Sequence, residues 1–216
     1  MNRGLKISLS LVAVFVIALT AVLLIDGGDE DPVVTDSTAT SAELVRPDSR
    51  RLSWAPDSKV TFVEFLDFEC EACRSVYPAV EQLRADYGDR VDFVVRNFPI
   101  ASHFNAERAA RAVEAAAQQG KFEQMYKRMY ETQIDWGEQR TPMDDVFRGF
   151  AQDMGLDMAA YDVAYSAPET LVRIQQDIAD GRSLGVQGTP TFFVNGERLE
   201  PTTYGDLTDA LDAALR

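Results

Sequence analysis

The sequence predicts an α/β domain built as β-α-β, a long helical stretch and a closing β-β-α, carried behind one N-terminal transmembrane helix. Three observations predict it. Two runs rich in β-branched and aromatic residues, 59–67 and 90–96, bracket an amphipathic segment. The stretch from about 102 to 184 repeats apolar residues at helical spacing. An Asn-Gly pair then separates two short strand-like runs ahead of a last amphipathic segment. A length of 216 residues fits one domain with a small appendage.

Residues 7–25 carry no charge and are nearly all Leu, Val, Ile, Ala or Phe. As a helix they span roughly 28 Å, the thickness of a bilayer core. Arg3 and Lys6 precede the run, and Asp26, Asp29, Glu30 and Asp31 follow it. The positive-inside rule therefore puts the N-terminus in the cytoplasm and the rest outside. A cleaved signal peptide would have an apolar core of about 7–15 residues before its cleavage site. Here the run is longer and the candidate site ending at Thr20 lies within it, so 1–25 reads as an anchor. Cleavage would leave the same extracytoplasmic domain. Residues 26–50, rich in Asp, Ser, Thr and Gly with Pro32 and Pro47, read as a flexible linker with a mean reach of about 25–30 Å.

The folded part is expected over 51–216. KVTFVEFLD at 59–67 reads as a buried central strand. Val76, Val80 and Leu83 mark a helix over 71–86, with Gly88 beyond it, and RVDFVVR at 90–96 a parallel partner strand. In the helical insertion, about 102–184, Phe122, Met125, Tyr126, Met129 and Tyr130 form one apolar face. Thr141 caps and Pro142 opens a second helix carrying Val146, Phe147, Phe150, Ala151 and Met154. Pro168 opens a third with Leu171, Ile174 and Ile178. Core packing accounts for these aromatic and Met stripes, and no cofactor is expected. TFFVN, the turn Asn195-Gly196 and ERLEP form a hairpin, and Leu207, Ala210, Leu211, Ala214 and Leu215 a terminal helix.

Composition excludes several function classes. With 46% hydrophobic and 26% charged residues the chain is not wholly disordered. A net charge of −14 repels polyanions and argues against nucleic-acid binding. Two cysteines are too few for a disulfide-dense scaffold or a four-cysteine zinc site.

Those two cysteines form Cys70-Glu71-Ala72-Cys73, directly after the central strand and at a helix start. Unpaired backbone N–H groups and the positive end of the helix dipole stabilise a thiolate there, lowering its pKa from about 8.5 to roughly 3.5–7.5. Cys70 is then an exposed nucleophile, and Cys73, one turn on, a buried resolving thiol. A c-type haem would need a histidine where Arg74 stands, and a zinc site more ligands than His103 supplies. A structural i, i+3 disulfide would close almost no loop. No metal site is expected, and His103 reads as an ordinary cap or surface residue.

FLDFECEACR, followed much later by GVQGTPTFFVNG, resembles the DsbA-like branch of the thioredoxin superfamily. The resemblance covers about residues 52–216 and implies a thioredoxin fold with a helical insertion. It implies that Pro190 is a cis-proline against the disulfide. It also implies that Thr189 before it, with Glu71 and Ala72 between the cysteines, faces substrate, the backbone there pairing with an added peptide strand. Glu64, six residues before Cys70, takes the position of a buried acid that handles protons for the resolving cysteine. Arg96, on the adjacent strand, is expected near it. One departure is chemical. The strong oxidants of this family carry Pro-His between the cysteines, where this chain has Glu-Ala. A carboxylate roughly 6 Å from Cys70 would raise the thiol's pKa by about 0.5–1, with Arg74 offsetting part of this.

The reading is therefore a membrane-anchored extracytoplasmic thiol–disulfide oxidoreductase. Reduced secreted or envelope proteins are its substrates, and the resemblance implies a membrane quinone-linked thiol oxidase as its redox partner. An envelope reductase, a tethered peptide-binding or chaperone module, and a metallochaperone using Cys70, Cys73 and His103 are the alternatives.

Overall fold

Strand β2 (Thr61–Leu66) runs through the middle of the sheet and is covered on both faces, so it reads as an apolar run with one charge in it. The computed structural model describes residues 43–216. In chain order the remaining elements are β1 (Arg50–Ser53), α1 (Glu71–Tyr87), β3 (Asp92–Asn97), α2 (Ala106–Ala117), α3 (Phe122–Trp136), α4 (Asp144–Asp153), α5 (Met158–Ser166), α6 (Pro168–Ser183), β4 (Thr191–Val194), β5 (Glu197–Leu199) and α7 (Tyr204–Ala214). The sheet order is β1-β3-β2-β4-β5, with β2 and β3 parallel and the other neighbours antiparallel. The expected β-α-β and β-β-α halves and the helical insertion are present. Asn195 and Gly196 both have positive φ, 49° and 90°, as a type I′ turn requires.

Side chains alternate across the sheet. Phe62 and Leu66 of β2, Phe93 and Val95 of β3 and Phe192 of β4 face a large core shared with α1 and the insertion. Val63, Phe65, Val94 and Phe193 face a smaller core closed by Phe98, Val186 and Ile178. Glu64 is on the first face and Arg96 on the second. The expected proximity of the two is thus wrong: the register aligns Glu64 with Val95 and Phe65 with Arg96, so the two charges point to opposite sides of β2 and β3.

The run at 7–25 lies outside the described residues, among which no helix is long and apolar enough to cross a membrane. Two further differences have local causes. Residues 43–50, the end of the expected linker, pack on the domain and run into β1. Arg46 donates to Asp180 at 2.5 and 2.7 Å, and Leu44 and Val45 pack on the smaller core. Helix α4 starts at Asp144 rather than after a Thr141 cap. Asn105 holds the segment before it, donating to the carbonyls of Gln139 and Thr141 and accepting from Met143 N.

Arg96 replaces apolar packing with a buried charge network. It is fully enclosed and donates to Asp177 and Asp180, both at 2.6 Å, and to the carbonyls of Glu43 and Leu44. Asp177 also accepts from Asn97 N, tying α6 to β3. The close approach depends on Gly181, where a Cβ would lie 2.9 Å from the rings of Phe65 and Phe98. Removing Arg96 would strand two carboxylates in the interior. Arg96→Ala is expected to cost about 3–5 kcal/mol in urea unfolding, whereas Arg148→Ala, which breaks an exposed pair with Asp162, should change little.

Candidate active site

The four residues between β2 and α1, Asp67 to Cys70, are pinned from several sides. The buried Asp67 accepts from Glu69 N through one oxygen and from Ile100 N, both at 2.8 Å, through the other. That second oxygen also contacts His103 Nδ1 at 2.6 Å. Glu69, also buried, accepts from Asn105 N and Glu138 N. Gln133 of α3 donates to the carbonyls of Phe68 and Cys70 and accepts from Arg74 Nε. The turn therefore enters α1 in one fixed direction, with Cys70 as the N-cap residue.

The two thiols sit in opposed environments. Cys73 is wholly buried and Cys70 is 8% exposed, so the expectation of an exposed Cys70 needs correcting: only its edge is reachable. Both are free thiols. The Cys70 pKa is lowered to about 6, first by the Cys73 thiol hydrogen-bonded to its sulfur. Burial opposes this. Thr189 and the backbone N–H groups of Cys73 and Ala72 add to the lowering. Cys73 is pushed well above the ordinary thiol value, chiefly by burial, then by the hydrogen bond to Cys70 and the nearby Glu64.

Glu64 lies beneath this pair, 3% exposed, with Oε2 making no hydrogen bond. Burial raises its pKa to about 8, with Cys70 and Glu81 adding to the rise. It is a protonated acid at neutral pH.

The second motif closes over the first. The Thr189–Pro190 peptide bond is cis, and the Cys70 thiol donates to Thr189 O at 3.4 Å. The Thr189 hydroxyl oxygen is buried and makes no hydrogen bond among the described residues. Beside Pro190 opens a groove of about 290 Å³, lined by Val76, Phe192, Leu199 and Tyr204 among others. Glu71 and Ala72 are exposed at the start of α1. Glu71 lies beside Glu138, and the two carboxyls divide the cost of their proximity: Glu138 holds its proton more readily and Glu71 loses its own more readily.

Sequence reasoning brought Cys70, Cys73, Glu64, Thr189 and Pro190 to one place, and they are together. It missed Asp67, Glu69, Asn105 and Gln133, which hold the turn. Two charged residues inside FLDFEC were the available signal, since a charge that close to a buried strand needs a partner. It also misread His103, whose hydrogen bond to Asp67 keeps it protonated to about pH 9 despite partial burial.

Residues 53–213 match the Thioredoxin family. The chain belongs to the thioredoxin family. A thioredoxin-like oxidoreductase from Silicibacter pomeroyi DSS-3 is 31% identical, with 78% of this chain and 93% of that one covered and a TM-score of 0.66. Wolbachia pipientis alpha-DsbA1, at 17% identity, shares the fold with a TM-score of 0.68 over 80% of this chain and 93% of its own. The expected resemblance is thereby borne out at the level of the thioredoxin family, and alpha-DsbA1 shares its fold. A Na(+)/H(+) antiporter NhaA 1 of Mycobacterium sp. (strain KMS) is 34% identical over 180 residues, 81% of this chain. The chain spans about 28% of the length of the curated relatives it matches first.

The lowered Cys70 value has a thermodynamic sign. Its thiolate stabilises the reduced protein in full above the ordinary thiol value, and that contribution is lost as pH falls through about 6. Thiolate absorbance of the reduced chain should therefore titrate near pH 6 and vanish in Cys70→Ser. Since thioredoxin's thiol titrates near about 7 and that of the strongest oxidant near about 3.5, the reduction potential should fall between about −270 and −120 mV. A value outside that interval would contradict the assignment.

Proposed function

We propose that this chain is an extracytoplasmic dithiol–disulfide oxidoreductase that passes a Cys70–Cys73 disulfide to reduced secreted or envelope proteins. The observation that carries the reading is the split between the two thiols: one favours its anion at the helix start, and the other is buried above a protonated acid. A substrate thiolate attacks Cys70 Sγ, which keeps the substrate sulfur in a mixed disulfide. The bond to Cys73 breaks, and Cys73 leaves as a thiolate that takes the proton of Glu64. A second substrate thiolate then attacks the substrate sulfur. Cys70 leaves as its stabilised thiolate, and the substrate departs oxidised by two electrons.

Substrate backbone is expected to run along Thr189 and Pro190, with apolar side chains in the groove at Val76, Phe192 and Tyr204. The apolar run at 7–25, with basic residues before it and acidic ones after, supports a single-pass anchor and an extracytoplasmic domain. Reoxidation would come from a membrane quinone-linked thiol oxidase.

Cys73→Ser should accumulate covalent adducts with extracytoplasmic proteins on non-reducing gels, and Cys70→Ser should not. Without Cys73 the mixed disulfide is resolved only by a second substrate thiol. Equal trapping by both variants would reverse or abolish these roles.

Glu64→Gln tests the proton step separately. In the folded chain Glu64 keeps its proton to about pH 8, while in the unfolded chain it ionises near 4.5. Its contribution to stability is therefore present in full below about 4.5 and declines as pH rises toward 8. The glutamine variant should flatten that slope in unfolding experiments and slow disulfide exchange, most below pH 8. An unchanged slope would remove Glu64 from the site's proton chemistry.

A further inference from the structure

A second cleft adjoins the active site, and its chemistry is opposite to that of the molecule around it. It has a volume of about 570 Å³ and lies between the segment after β3, helix α2 and helix α6. Three arginines, Arg108, Arg111 and Arg182, reach it, and Phe104 and Ile178 give it apolar walls. Two of the arginines are already engaged. Arg108 Nε pairs with Asp144 at 3.1 Å and also donates to Phe104 O. Arg111 Nε pairs with Glu107 at 2.9 Å and also donates to Tyr165 O. Arg182, exposed near the end of α6, makes no side-chain hydrogen bond or salt bridge among the described residues, and so stands in excess.

The position of that excess charge matters. The cleft shares His103 and Phe104 with a neighbouring cleft of about 410 Å³, which is lined by Glu69 and Glu71, the residues on either side of Cys70. A polypeptide joined to Cys70 can therefore continue past His103 toward Arg182. This is a different path from the apolar groove at Pro190. The chain as a whole, at −14, repels an acidic polypeptide. A guanidinium without a partner among the described residues, between apolar walls, offers such a polypeptide a bidentate site that a lysine or a neutral side chain could not use.

We propose that the Arg182 cleft binds a carboxylate-bearing side chain of the polypeptide whose thiols exchange with Cys70, with an apolar neighbour of that side chain against Phe104 and Ile178. The proposal rests on the disulfide-exchange reading and adds a preference to it: substrates with acidic, partly apolar flanks are favoured over neutral ones.

The test uses the full-length chain and dithiol peptides that differ only in a flank, Glu-Leu-Glu or Gln-Leu-Gln, placed before or after the cysteines. In one placement the acidic peptide should show kcat/KM about two- to fivefold higher, carried by KM, as expected for one charge-assisted pair at an exposed residue. Arg182→Glu should erase or invert that ratio, Arg182→Lys should reduce it, and raised salt should shrink it in the wild type. Equal ratios for wild type and Arg182→Glu, or no acidic preference in either placement, would overturn the proposal. If no peptide is oxidised at all, the exchange reading fails, and the cleft is judged by calorimetry with the same peptides. Tighter binding of the acidic one, lost in Arg182→Glu, would support it, and equal binding would overturn it.

Discussion

The carboxylate of Asp67 fixes the turn on which the chemistry depends. It is buried, and its oxygens are taken up by two backbone N–H groups and the ring of His103. Its own carbonyl accepts from Cys70 N. A buried carboxylate is tolerated only when its lone pairs are filled, so each partner is held as firmly as it holds. One side chain thereby joins the end of β2, the start of α1 and the segment after β3. Cys70 is left at the helix start with its sulfur against Thr189 O.

From that fixed turn the difference between the two thiols follows. Both belong to one short motif, yet Cys70 meets N–H groups, a thiol and Thr189, whereas Cys73 meets a closed interior and Glu64. Charge is favoured at one sulfur and penalised three residues away. The Glu-Ala pair between the cysteines changes this less than its chemistry suggests. Glu71 is exposed and shares its electrostatic cost with Glu138, so water screens much of its field.

On the other side of the sheet, Arg96 and its two aspartates lock α6 against β3 and hold residues 43 and 44 in place. Helix α6 leads through Val186 to Thr189 and Pro190, so the same network fixes the base of the loop that lies over Cys70. The two faces of β2 thus divide the labour. Glu64 faces the thiols, and Arg96, aligned with Phe65, anchors the loop opposite them.

Local pattern was enough for the reactive pair, the central strands, the closing hairpin and most of the helices, whereas β1, α2 and α5 had no separate signal. Strand and helix periodicities, the Asn195-Gly196 turn and the spacing of Cys70, Cys73 and Pro190 are local or motif properties, and these carry through to the fold. The proximity of Glu64 to the cysteines was legible only through the family resemblance, in which a buried acid stands six residues before the first cysteine. Which charges meet is a property of the folded chain. Asp67 finds His103, Arg96 finds Asp177 and Asp180, and Arg46 draws residues of an apparent linker onto the domain. These pairs are separated by 36 to 134 positions, and a polar residue in a sequence carries no mark of the partner that will pay its desolvation cost.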